Sequence, residues 1–161
     1  MKPLRFLLML AIAIQCSVLG VSAQQSATID ISGDVQKPMT VTAADLVAMP
    51  RITVTVAAVT YGGVLLDDVL KRAGVPTSSS LRGKALTTYI LVEAQGGYQV
   101  VFSLGELDPS VTDNQIVLAD SSDGKPLAET EGPFRLVIPK DKIGARSVRM
   151  LSRLRVVQVT K

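Results

Sequence analysis

The sequence predicts an α+β fold of mixed β-sheets with a few short helices between the strands. Three observations carry this expectation. Apolar and polar residues alternate in many short runs, as at Ile29 and Ile31 or at Ile52, Val54 and Val56. Glycine pairs and an Asp-Gly step punctuate those runs. Only one stretch repeats apolar residues at clear helical spacing over two turns: Leu65, Leu66, Val69, Leu70 and Ala73.

Taken in order, Ala27 to Ser32 reads as a strand, Gly33-Asp34 as a turn, and Met39 to Val41 as the returning strand. Thr42 is placed to cap a short helix through Ala43 to Val47, which Pro50 ends. Arg51 to Val56 alternates as a half-buried strand, and Tyr61-Gly62-Gly63 breaks the pattern ahead of the clearest helix. In that helix Asp67-Asp68 come early and Lys71-Arg72 late, each favourable with the helix dipole, and Gly74 and Pro76 close it. The paired aspartates therefore need no catalytic role. After the link Ser78-Ser79-Ser80, strands are expected at Leu86 to Val92 and Tyr98 to Phe102, separated by Gly96-Gly97. Ser103 to Leu107 reads as one helical turn, Ile116 to Ala119 as a buried strand, and Asp123-Gly124 as a hairpin turn. Asp120 to Gly124 also resembles part of a calcium loop, but lacks its alternating ligands and final glutamate. Phe134 to Ile138 and Leu151 to Val159 supply the last strands. With no internal repeat and no linker, residues 24–161 read as one domain.

The first residues read differently. Lys2 and Arg5 precede an apolar run from Phe6 to Ile14, and small residues close the stretch at Val21-Ser22-Ala23. That pattern is a secretory signal peptide over residues 1–23; the run is shorter than the roughly 20 residues of a membrane span. The only cysteine, Cys16, lies within it, and Ile14-Gln15 fit a lipidation site poorly. The expectation is a protein of the periplasm or the cell exterior whose mature chain begins at Gln24 and has neither cysteine nor histidine.

That composition excludes a Ser-His-Asp triad, a Cys-His pair and any His- or Cys-ligated zinc or iron site in the mature chain. Without Lys2 and Arg5 it holds fifteen basic and fourteen acidic side chains, which argues neither for nucleic acid nor for an anionic membrane. The distribution is uneven, however. Residues 132–161 carry eight cations and only Asp141, whereas residues 24–131 are net acidic. Such a segment suits a small anion, or else marks strands whose edges are guarded by Lys and Arg.

The order of the motifs carries a resemblance. Tyr61-Gly62-Gly63-Val64-Leu65-Leu66-Asp67-Asp68-Val69-Leu70 is similar to the W-x-G-V-x-L-x-x-L-L run of the oxidoreductase molybdopterin-binding domain, the catalytic-domain family of sulfite oxidase. Gly96-Gly97-Tyr98, Asp123 to Leu127, Gly132 to Pro139 and Gly144 to Arg149 resemble its later segments, in order and at similar spacing. The resemblance implies a sulfite-oxidase-type fold with molybdopterin as possible cofactor. It further implies that Arg135 contacts a cofactor phosphate or active-site anion, and that Ser147, Val148 and Arg149 form a cradle for the pterin phosphate. Arg135 has a second reading, as an arginine entering a buried strand and paired with a carboxylate.

The same resemblance places a molybdenum-binding cysteine about ten residues before the W-x-G run, but Val56 to Thr60 is shorter there and holds no cysteine. The asparagine expected before the P-x-R arginine is Thr130. Two classes of function follow. One is a non-catalytic binding module for a pterin, another small anion or a periplasmic partner protein. The other is a small molybdopterin-dependent oxidoreductase with a cysteine-free metal site.

Overall fold

The computed structural model describes residues 27–160. The signal peptide expected over residues 1–23, and Cys16 with it, lies outside the described residues. In chain order the strands are β1 (Thr28–Gly33), β2 (Met39–Thr42), β3 (Arg51–Val56), β4 (Val59–Leu65), β5 (Thr88–Ala94), β6 (Gln99–Ser103), β7 (Val117–Ser122), β8 (Lys125–Pro126), β9 (Arg135–Val137) and β10 (Leu151–Gln158). The helices are α1 (Ala43–Val47), α2 (Leu66–Arg72) and α3 (Leu104–Leu107). The result is the expected α+β fold, in two sheets.

The first sheet runs β2-β1-β10-β5-β6, and the second runs β3-β4-β7-β8 with β9 also paired to β7. All pairings are antiparallel except β1 with β10, which are parallel. The core lies between the sheets and α2, around Ile29, Leu66, Leu70, Phe102, Leu118 and Leu154. Phe102 and Leu70 are fully buried, and each large side chain so placed stabilises the fold by about 2 kcal/mol. The opposite face of the second sheet carries a smaller cluster of Val54, Tyr61, Val117, Ala119 and Val137.

Local chemistry explains the helix ends. The Thr42 hydroxyl accepts from the Asp45 backbone N–H at 3.2 Å, and the Asp45 carboxylate accepts from the Thr42 N–H at 2.9 Å, a complete capping box. Ser103 and Glu106 repeat the device at α3. Gly74 (φ +76°) closes α2 in a left-handed conformation that glycine adopts without steric cost.

Several expectations need correction. Tyr61-Gly62-Gly63 does not break the pattern: it lies inside β4, which hairpins back along β3 through Ala57 and Ala58 alone. Both turn residues have positive φ (48° and 68°), as the right-handed twist of a two-residue hairpin requires. Gly63 is there because a Cβ would sit 2.1 Å from the Leu118 carbonyl oxygen, where the β4–β7 register shifts. Ser78–Ser80 and Gly83–Thr87 are 3₁₀ turns, so β5 begins at Thr88 rather than Leu86. Finally, β10 is the central strand of its sheet, not an edge, so its cations do not guard an edge.

Candidate functional site

Arg135, Ser147, Val148 and Arg149 come together because the segment after the Gly144–Arg146 turn runs beside β9. The Leu136 N–H donates to the Val148 carbonyl and the Leu151 N–H to that of Phe134, both at 2.8 Å. Arg135 opens β9 opposite Ala119 of β7, on the face that holds Tyr61. Its guanidinium lies 4.7 Å from the Tyr61 ring centroid, and Nη1 donates to Tyr61 Oη at 2.8 Å.

The same Nη1 donates to Glu131 Oε1 at 2.5 Å. Arg149 Nε stands 3.6 Å from that oxygen, so one carboxylate bridges two guanidinium groups. Arg135 is only 9% exposed and its Nε has no hydrogen-bond partner, whereas the Arg149 side chain is 60% exposed. The remaining two residues are differently employed. Ser147 Oγ accepts from the Ile138 N–H at 3.4 Å, and Val148 is fully buried in the main core. Among the four, Arg149 is the side chain open to solvent.

Three other cations of the basic segment, Lys140, Arg146 and Arg153, also face carboxylates. Arg146 grips Asp141 through Nε and Nη2 at 2.9 and 2.6 Å, reaches Glu106 at 2.7 Å and lies over the Phe102 ring. Asp141 first, then Glu106, holds that guanidinium above its ordinary pKa. Lys140 pairs with Asp113, and Arg153 approaches Asp30 and Glu93. The local excess of positive charge is thus partly matched by acids from earlier in the chain.

Two adjoining clefts of about 350 and 440 Å³ lie elsewhere; they meet at Arg51, Ser121 and Gly124, and neither is lined by Arg135, Ser147 or Arg149. Arg51 there holds Asp120 through two hydrogen bonds of 2.8 and 2.6 Å. Asp123 and Gly124 form the expected tight turn, with Asp123 Oδ1 accepting from the Thr60 N–H at 2.9 Å. Asp120 and Asp123 are thus engaged by the Arg51 guanidinium and the Thr60 backbone.

Tyr61 and Glu131 are the site residues that the sequence did not single out. Tyr61 stands where the motif has its tryptophan, and Glu131 is four residues before Arg135; both signals were available without the fold, but neither specified a contact.

Residues 56–161 match the model of the family described as the oxidoreductase molybdopterin binding domain. Among solved structures, the chain is similar to the sulfane dehydrogenase SoxCD from Paracoccus pantotrophus, at 24% identity and a TM-score of 0.64. That match covers 81% of this chain and 38% of the other, so the chain spans well under half the length of that relative. At this identity the likeness establishes the fold. No curated protein matches the chain.

The residues present do not fit molybdenum. Where the resemblance places a metal thiolate, the chain turns from β3 to β4 through Ala57 and Ala58, which leaves no loop to carry a ligand. Among the described residues no group of three His, Cys, Asp or Glu side chains is placed to hold a metal ion. A pterin phosphate fits only partly: Arg149 and the unpartnered Arg135 Nε suit it, but Glu131 already stands between the two arginines.

Proposed function

This chain belongs to the oxidoreductase molybdopterin-binding domain family, and on that premise we propose that it is a non-catalytic binding module of the periplasm or cell exterior. The observation that carries the reading is the two-residue Ala57-Ala58 turn, which stands in place of the metal-bearing loop. Losing a metal ligand removes the chemistry that the ligand tuned. Its ligand is a small anion, a pterin phosphate among the candidates, received at the rim by Arg149 and deeper by Arg135 as Glu131 gives way. Charge-assisted hydrogen bonds from two guanidinium groups are the natural holders of such a group.

The test is to purify the exported protein from a host that makes molybdopterin. Molybdenum is then measured by elemental analysis, and pterin by fluorescence after oxidative release. Molybdenum well below one per chain is expected. Stoichiometric molybdenum would overturn the reading and favour a small oxidoreductase with a cysteine-free metal site. Calorimetric titration with inorganic phosphate tests the corner, and Arg149→Ala is expected to weaken binding about tenfold or more. Binding that Arg149→Ala leaves unchanged removes the corner from the proposal, and no anion binding at all leaves a partner protein as the ligand.

A further inference from the structure

The outward face of the first sheet is amphipathic in a way the anion corner does not use. Register places Val157 beside Tyr89, Arg155 beside Leu91 and Arg153 beside Glu93, then Leu91 beside Val101. On the other flank of β10, Arg153 is beside Asp30 and Arg155 beside Ser32. Alternation along each strand puts these residues on one face, opposite the buried Ile29, Ile31, Ile90, Val92, Leu154 and Val156. Val101 is 52% exposed, and Tyr89, Leu91 and Val157 are half-buried and belong to neither core cluster of the described residues.

The charges on this face are balanced but not all satisfied. Arg153 lies 3.4 Å from both Asp30 and Glu93, and Asp30 keeps half of its side chain exposed. Arg155 is exposed beside Leu91 and has no carboxylate partner among the described residues. Two arginines against two carboxylates make a face of zero net charge, which a strongly acidic or basic partner would not complement. A second copy would. In a two-fold contact residue i meets j and j meets i, so Arg155 of one copy can reach Asp30 of the other twice over while the apolar residues pack together.

We propose that this face is the contact of a homodimer, formed by two copies packing sheet against sheet. Five strands spaced about 4.8 Å, with six residues rising about 3.3 Å each, span about 24 by 20 Å. Two such faces bury about 1,000 Å² in total, at the lower limit for a specific interface, so the dimer is weak and concentration-dependent. The contact is independent of the ligand-binding reading, because none of its residues lines the Arg135 corner.

Sedimentation velocity from low-micromolar to millimolar protein tests it. A reversible monomer–dimer equilibrium is expected, weakened about tenfold or more by Arg155→Glu or by Asp30→Arg, and largely restored when both are combined. Val47→Asp, an exposed change on α1, is expected to leave the equilibrium unaltered. Circular dichroism separates unfolding from dissociation, and the charge-reversal pair avoids altering the apolar residues. A monomer throughout the range overturns the proposal and leaves the face to a different protein. So does a dimer that the single reversals do not weaken, or that the double reversal does not restore.

Discussion

At the scale of single residues, Asp67 and Arg135 are charged groups held in the interior. Asp67 is 2% exposed; Oδ2 lies 2.6 Å from Lys71 Nζ and Oδ1 has no hydrogen-bond partner. Burial pushes its pKa above the ordinary carboxylate value, and Lys71 offsets this only in part. A carboxyl group whose folded pKa is raised stabilises the fold fully below its unfolded pKa. It loses that contribution as pH rises from about 3.8 through the raised folded value. Asp67→Asn is therefore expected to raise the melting temperature at neutral pH and to have less effect near pH 4, since the buried charge it removes costs about 1 kcal/mol or more. Thermal unfolding at the two pH values checks this, and an equal shift at both would count against it. Glu131→Gln has the opposite sense. It leaves the buried Arg135 charge without its carboxylate and is expected to destabilise by about 3 kcal/mol, most of which Glu131→Gln/Arg135→Met recovers. Urea unfolding of the single and double variants measures both.

At the scale of elements, the turn between β3 and β4 separates what the sequence displays from what it conceals. Ala57 and Ala58 hold positive φ without being glycine or asparagine, a conformation that costs about 1 kcal/mol per residue. Replacing the pair by Asn-Gly is expected to stabilise the protein by about 1 kcal/mol with phosphate binding unchanged, as chemical denaturation and calorimetry would show. A loss of phosphate binding in that variant would mean that the turn itself belongs to the site. The helices were legible because their signals are local. Thr42 and Asp45, and Ser103 and Glu106, cap their own helices from three residues away, and α2 shows its buried stripe directly. Strand β4 was not legible, because Gly62-Gly63 has the composition of a turn. The reason for Gly63 is the Leu118 carbonyl, more than fifty residues along the chain.

At the scale of the whole molecule, the basic final segment is partly neutralised across the fold, with Lys142 and Arg155 left exposed. Arg135, Lys140, Arg146 and Arg153 face Glu131, Asp113, Glu106 and Asp30, among other acids. The exposed pairs among these, unlike the buried Arg135–Glu131 pair, contribute about 0–1 kcal/mol each, so their effect is on local charge more than on stability. Export is a separate question, and the N-terminal sequence of the mature protein answers it. Cleavage before Gln24 and recovery from the periplasm or medium are expected; an intact Met1 on cytoplasmic protein would refute the signal peptide and the proposed compartment together.

The sequence by itself determined the α+β class, the short helices with the Thr42 cap, the Asp-Gly turn and the family resemblance, since each rests on spacing within a few residues or on the order of motifs along the chain. Only the tertiary structure decided that β1 lies parallel to β10 at the centre of a sheet, that Glu131 bridges Arg135 and Arg149, and that the stretch from Val56 to Thr60 is a closed hairpin. Those features depend on strand register and on partners remote in sequence, which local periodicity does not specify.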